Sequence, residues 1–261
     1  MARRTPSGSG LILSPLEFDL LWEEFGGGDA PPYPLQVRSH GETFDERDRL
    51  DDEVFAGLQE SGLAEGDEVA EQLARPLRIL ARPTRWVDLM VIGAERLRAV
   101  AAASRTHAVL AALDEQELAL EPLRPEDMIP ALLHVIGDVP PGAGERVSLP
   151  RAAYAAAMDA FARKGYGAFE AALSAAGVTG RAVRPVATMV SAPRTVAGQF
   201  GANGPGGRSP VLNWLDTEEG RYAMVVDSAQ GEQWVTVTPA DVSWLAGQLR
   251  SLLDGVARPP G

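Results

Sequence analysis

One pattern occurs twice in the 261 residues. A helix-forming stretch stops short of a proline, four short apolar or alternating runs follow, and a Pro-x-Asp signal opens the next helix. The first copy has Pro83, then the runs Trp86 to Ile92, Leu97 to Ala103, His107 to Leu113 and Glu117 to Leu123, then Pro125-Glu126-Asp127. The second has Pro193, the runs Arg194 to Gly201, Val211 to Asp216, Arg221 to Asp227 and Gln233 to Val237, then Pro239-Ala240-Asp241. The paired prolines stand 110 and 114 residues apart. Connections as short as Asp114-Glu115-Gln116 or Glu218-Glu219-Gly220 can join only antiparallel strands, because a parallel crossover needs a dozen residues or more. The expected fold class is therefore α+β, with an antiparallel sheet built from a quasi-twofold pseudo-repeat of a helix–four-strand meander–helix unit. The alternative is chance recurrence, since Pro-x-Asp is a generic helix start.

The remaining segments read as flanking elements. Met1 to Gly10 are small and polar and are expected to be disordered, and Leu11 to Leu13 reads as a short strand. Ser14-Pro15-Leu16-Glu17 combines a serine cap, proline at the first helical position and a glutamate that can reach back, so a helix should run from there to about Phe25. Pro34 to Val37 reads as a strand. Thr43-Phe44-Asp45-Glu46 repeats the capping pattern for a helix ending near Gly62, and another helix is expected from about Asp67 to Leu80. A helix over Pro125 to Ile136 closes the first meander. The second half opens with helices at about Pro150 to Arg163, Tyr166 to Ala176 and Thr179 to Ser191. It closes with Pro239 to Leu253, whose Val242, Leu245, Ala246, Leu249, Leu252 and Leu253 share one face. The expectation is one domain: an N-terminal half over about 11–136, a Pro/Gly-rich linker over about 137–149 and a C-terminal half over about 150–254.

Charge and chemistry narrow the function. Basic residues number 24 against 36 acidic ones, a net charge of −12, and 45% of residues are hydrophobic. Such a surface repels phosphate backbones and anionic lipid, so neither nucleic acid nor membrane is an expected partner. No apolar stretch approaches the ~18 residues of a membrane span, and Glu17 and Asp19 end any signal-peptide reading, so a cytoplasmic protein is expected. There is no cysteine, which removes thiol chemistry. Lys164, the one lysine, is followed by Gly165 and not by Ser or Thr, so no P-loop exists. No serine stands in G-x-S-x-G. His40, His107 and His134 lie on separate elements without metal-ligand spacing. The carboxylates Asp45, Glu46, Asp48, Asp51, Asp52 and Glu53 are interleaved with Arg47 and Arg49 as on a solvated helix face. No catalytic, cofactor or metal residues are expected. Trp234 shares a strand face with Thr236 and Thr238, opposite Val235 and Val237, which makes it a candidate for a binding surface.

Several short motifs occur together in order: Leu13 to Glu23 (L-S-P-L-E-F-D-L-L-W-E), Gly41-x-Thr43 through Glu46-Arg47, Leu80-Ala81-Arg82-Pro83, Gly198-Gln199-Phe200-Gly201, Gly220-Arg221-Tyr222 and Pro239-Ala240-Asp241. In this order, over nearly the whole chain, they resemble the EspG family of proteins associated with type VII secretion in actinobacteria. The resemblance implies a central antiparallel sheet flanked by two helical bundles. It also implies a cytosolic chaperone that covers the helical tip of a PPE-type subunit in a PE/PPE heterodimer, through the sheet and the C-terminal bundle. Outward-facing positions of the second meander, Gln199, Asn213, Arg221, Gln233, Trp234 and Thr236, are the candidate partner-binding residues. They rest on strand alternation, which a one-residue register shift inverts. A monomer or weak homodimer is expected. The rival readings are a self-assembling structural protein, because an open sheet edge can pair with another copy, and a hydrolase with an unrecognised pair of carboxylates.

Overall fold

The structure, a computed structural model, describes residues 10–66, 68–93, 96–180, 183–229 and 231–259. In chain order the N-terminal half runs β1 (Leu11–Leu13), α1 (Pro15–Gly26), α2 (Phe44–Glu60), a small hairpin β2 (Ala64–Glu65) and β3 (Glu68–Val69), and α3 (Glu71–Ala81). The meander β4 (Arg85–Ile92), β5 (Leu97–Ala103), β6 (Ala108–Leu113), β7 (Leu118–Leu123) follows, then a 3-10 turn over Pro125–Asp127 and α4 (Met128–Val135). The C-terminal half runs β8 (Val147–Pro150), α5 (Arg151–Lys164), α6 (Tyr166–Ala175) and α7 (Val183–Ser191). It continues with β9 (Arg194–Gly204), β10 (Gly207–Arg208), β11 (Leu212–Thr217), β12 (Gly220–Ala229), β13 (Glu232–Pro239) and α8 (Val242–Gly255). All the large-sheet pairings are antiparallel, in the order β1-β7-β6-β5-β4-β9-β11-β12-β13-β8, with β10 on β9. The two meanders thus join edge to edge through β4 and β9, and β1 and β8 form the outer edges.

Helix starts follow the capping chemistry. Ser14 Oγ accepts from the Glu17 amide at 3.2 Å while the Glu17 carboxylate accepts from the Ser14 amide, and the Thr43 and Asp241 side chains cap α2 and α8 by accepting from the amides of Glu46 and Trp244. Strand alternation then divides the core into three. On one face of the sheet Val87, Leu89, Ala101, Leu110, Phe200, Leu212 and Trp214 pack beneath α4 and α8. On the other face Val100, Ala102, Val109, Ala111 and Leu118 pack against the lobe formed by α1–α3, and Leu215, Tyr222, Val235 and Val237 pack against the lobe formed by α5–α7. That second face therefore carries a helical lobe at each end and is bare between them.

Four expectations need correction. Pro34 to Val37 is not a strand: Pro31, Pro32 and Pro34 lack the amides a ladder needs, and the segment is irregular, with Leu35 buried beneath it. The third helix begins at Glu71, because a hairpin occupies Ala64 to Val69; its expected first residue, Asp67, lies outside the described residues, as does nearly all of Met1 to Gly10. The α-helix after the first meander begins only at Met128. The expected linker ends in a strand, β8, and its earlier part lies along β12, where the Gly142 and Arg221 amides donate to the carbonyls of Arg221 and Pro140 at 2.9 and 2.8 Å.

Candidate partner-binding groove

The bare stretch of sheet has a defined floor. Strand register aligns Arg98, Met90, Gln199, Asn213 and Met224 in one row across β5, β4, β9, β11 and β12. All five alternate with core residues of the opposite face, so all five point into the space between the lobes. Met90, Gln199, Asn213 and Met224 are half-buried, and in the next row Ile92 is 59% exposed beside half-buried Ala197. Among the described residues the Asn213 amide has no hydrogen-bond partner. Methionine supplies a deformable apolar surface, and the two amides supply both donors and acceptors.

Each end of the floor is walled by a tyrosine bonded to a methionine. The Tyr33 hydroxyl donates to Met90 Sδ and accepts from Gln199 Nε2 at 3.3 Å. The Tyr154 hydroxyl of α5 donates to Met224 Sδ at 3.4 Å, and burial holds its phenol above the usual pKa, so it stays an O–H donor. Tyr33 is held in turn by Arg208, whose guanidinium carbon lies 5.5 Å from the ring centroid. Arg208 grips the fully buried Asp88 through two hydrogen bonds of 2.6 and 2.8 Å, and Asn203 Nδ2 donates to the same carboxylate at 2.8 Å. The hydrogen bonds to Asp88 hold the Arg208 guanidinium above its ordinary pKa. Gly201 makes room for this pair: a Cβ there would stand 2.4 Å from Arg208 Nη2.

The six residues expected at the site do not come together. Gln199 and Asn213 are direct cross-strand neighbours on the groove floor. Gln233 is on the same face, exposed, near the rim of the C-terminal lobe and hydrogen-bonded by Arg151. Trp234 is half-buried on the opposite face. Thr236 shares that face but is 5% exposed, its hydroxyl bonded to Ser148 at 2.8 Å, because β8 pairs alongside β13. Arg221 overturns the outward-facing assignment most clearly, at 0% exposed. It bonds Asp216 at 2.6 and 2.9 Å, donates to the carbonyls of Ile136 and Gly137 at 2.9 and 3.1 Å, and stacks over Trp214. Those carbonyls end α4, so Arg221 satisfies a helix C-terminus inside the fold.

Tyr33, Met90 and Arg208 were missed because their relevance depends on the β4–β9 pairing, which joins residues more than a hundred positions apart. The one available signal was alternation in β4, which opposes Met90 to Leu89 and Val91. Of the histidines, His40 bonds Asp19 at 3.1 Å, His107 precedes β6 rather than lying within the strand, and His134 is exposed late in α4. Among the described residues no group of three or more His, Asp or Glu could hold a metal ion, and no helix is long and apolar enough to cross a membrane.

Fold and groove together define an α+β scaffold in which an antiparallel sheet floors a cleft between two helical lobes. The EspG family model matches residues 14–251, and the chain belongs to that family. Its fold is similar to that of the Mycobacterium tuberculosis type VII secretion system chaperone EspG5, solved in complex with the PE25-PPE41 dimer: 18% identity, 97% of this chain and 98% of that chain covered, TM-score 0.72. No curated protein sequence matches.

Proposed function

We propose that the chain is a cytoplasmic, non-catalytic chaperone that seats the helical tip of a PPE-type subunit of a PE/PPE heterodimer in the groove and keeps it soluble for type VII export. Family membership and the fold shared with EspG5 support the reading. The observation that carries it here is the row Met90, Gln199, Asn213, Met224 with its unpartnered amide. The tip of a helical hairpin exposes apolar side chains together with the unpaired carbonyls and amides of two helix ends. A floor of soft apolar surface interrupted by two amides, that of Asn213 free and that of Gln199 held only by Tyr33 and Met90, meets both needs, whereas a purely apolar floor leaves the backbone groups unsatisfied.

Co-expression with PE/PPE-type heterodimers, followed by size-exclusion chromatography with light scattering, tests the reading. The expected result is a complex of defined mass and a heterodimer that precipitates when expressed alone. Met90→Glu should abolish the complex, and Gln199→Ala with Asn213→Ala should raise Kd by about tenfold or more, ~1.4 kcal/mol. Wild-type binding by all of these would remove the groove from the interface. A second reading places the contact on half-buried Trp234, beside exposed Asp227 on the other face. Trp234→Ala decides between the two, since loss of ~2 kcal/mol or more there would move the interface to that face.

A further inference from the structure

The floor of the groove does not stop at Met90. It continues over Ile92 into a recess of about 880 Å³ lined by Met90, Ile92, Arg38, Arg96 and Arg98 among others. Arg98 is committed: its guanidinium donates to the Gln36 carbonyl at 2.6 Å and holds the 34–37 segment against the sheet. Arg38 and Arg96 are exposed, and among the described residues neither has an ion pair or a side-chain hydrogen bond. The recess also has two carboxylates, both in the β6–β7 turn. Asp114 is occupied by the amides of Gln116 and Glu117 at 2.7 and 2.8 Å, and Glu115 is exposed. On a chain of net charge −12, two uncommitted guanidinium groups in one recess are a local reversal of sign, and they adjoin the apolar and amide floor on which the proposed function rests.

Resting on that function, we propose that the helical tip held in the groove carries a carboxylate, and that Arg38 and Arg96 receive it. The pair fixes the direction in which the tip lies. An acidic residue turned toward the α1–α3 lobe meets two cations that no carboxylate of the described residues engages, an attraction that a neutral tip lacks. Opposite-sign contacts of this kind at the rim of an interface act chiefly on association rate and salt dependence, and they discriminate among partners that share the same apolar footprint.

The probe is the PE/PPE-type heterodimer that co-purifies with the wild-type chain, titrated calorimetrically at about 0.05 M and about 0.5 M salt, where screening is weak and strong. Both arginines are exposed, so Arg38→Glu with Arg96→Glu should leave the circular dichroism spectrum and melting temperature unchanged. The expected result is a Kd raised about tenfold or more at low salt and a loss of most of the salt dependence. A heterodimer whose tip carboxylate is replaced by lysine should bind the charge-reversed chain better than the wild type. Wild-type affinity and wild-type salt dependence in the charge-reversed chain would overturn the proposal. If Met90→Glu still abolishes that complex, the chaperone reading stands and only the carboxylate assignment falls. If no heterodimer binds the wild-type chain at all, both fall.

Discussion

A guanidinium taken fully out of water costs several kcal/mol unless each of its hydrogens finds an acceptor. Arg221 comes close, with four hydrogen bonds for its five hydrogens, to Asp216, Ile136 and Gly137, and with the Trp214 ring beneath it. Replacing it by alanine leaves the Asp216 carboxylate buried without its cation, and should cost ~3–5 kcal/mol in urea unfolding. Arg221→Ala with Asp216→Ala should recover part of that loss. Partner affinity measured on the surviving folded fraction should not change, which separates a structural arginine from a contact residue. Asp51 makes the opposite case. Asp51 is exposed, yet partial loss of water around it and then the nearby charges of Glu23, Asp52 and Asp48, opposed by Arg47, raise its pKa above the ordinary carboxylate value. A raised pKa in the folded state means that the ionised group disfavours folding above that pKa and has no effect below the unfolded value of 3.8. Asp51→Asn should therefore raise the melting temperature at pH 7, and the gain should shrink toward zero as pH falls to about 3.8. Neither behaviour was legible in the sequence: Arg221 alternates correctly as a strand residue, but alternation says nothing about a helix end and a linker arriving on the same face.

Element by element, the strands were read within a residue or two where turns with Gly, Asp or Ser bracket them, as in β4 to β7. Two misreadings have one cause. β8 is four residues long and takes its identity from pairing with β13, and Pro34 to Val37 has the apolar character of a strand without the amides to be one. Short segments gain or lose strand status through tertiary partners, which composition does not record. The joint between meanders depends on Gly198 in β9, where an added Cβ would lie 2.5 Å from the Met90 carbonyl oxygen and 2.7 Å from the Trp214 ring. Neither is a loose side-chain end, so Gly198→Ala should cost ~1–3 kcal/mol by overpacking. It should also weaken partner binding, because it moves Met90 relative to Gln199. Denaturation midpoints and Kd measured together on this one variant check both.

At the scale of the molecule, the groove predicts a footprint. Hydroxyl-radical labelling should show Met90, Met224 and Tyr33 protected when the heterodimer is bound, with Trp234 labelled equally in both states; the reverse pattern would put the interface on the other face. The helix–meander–helix order and the shared sheet were legible from the recurrence of one pattern in the chain, and alternation in the second meander pointed to Gln199 and Asn213, which lie side by side on the groove floor. The share contributed by Tyr33, Met90 and Arg208 was not, because it arises where the halves meet. That meeting has a consequence for synthesis. The floor needs β4 from the first half and β9, β11 and β12 from the second. A chain still on the ribosome with only its first half emerged has no groove to offer. On the proposed function, the capacity to hold a partner therefore arrives only with a nearly finished fold, so that the groove is offered only by a chain whose two halves have already joined.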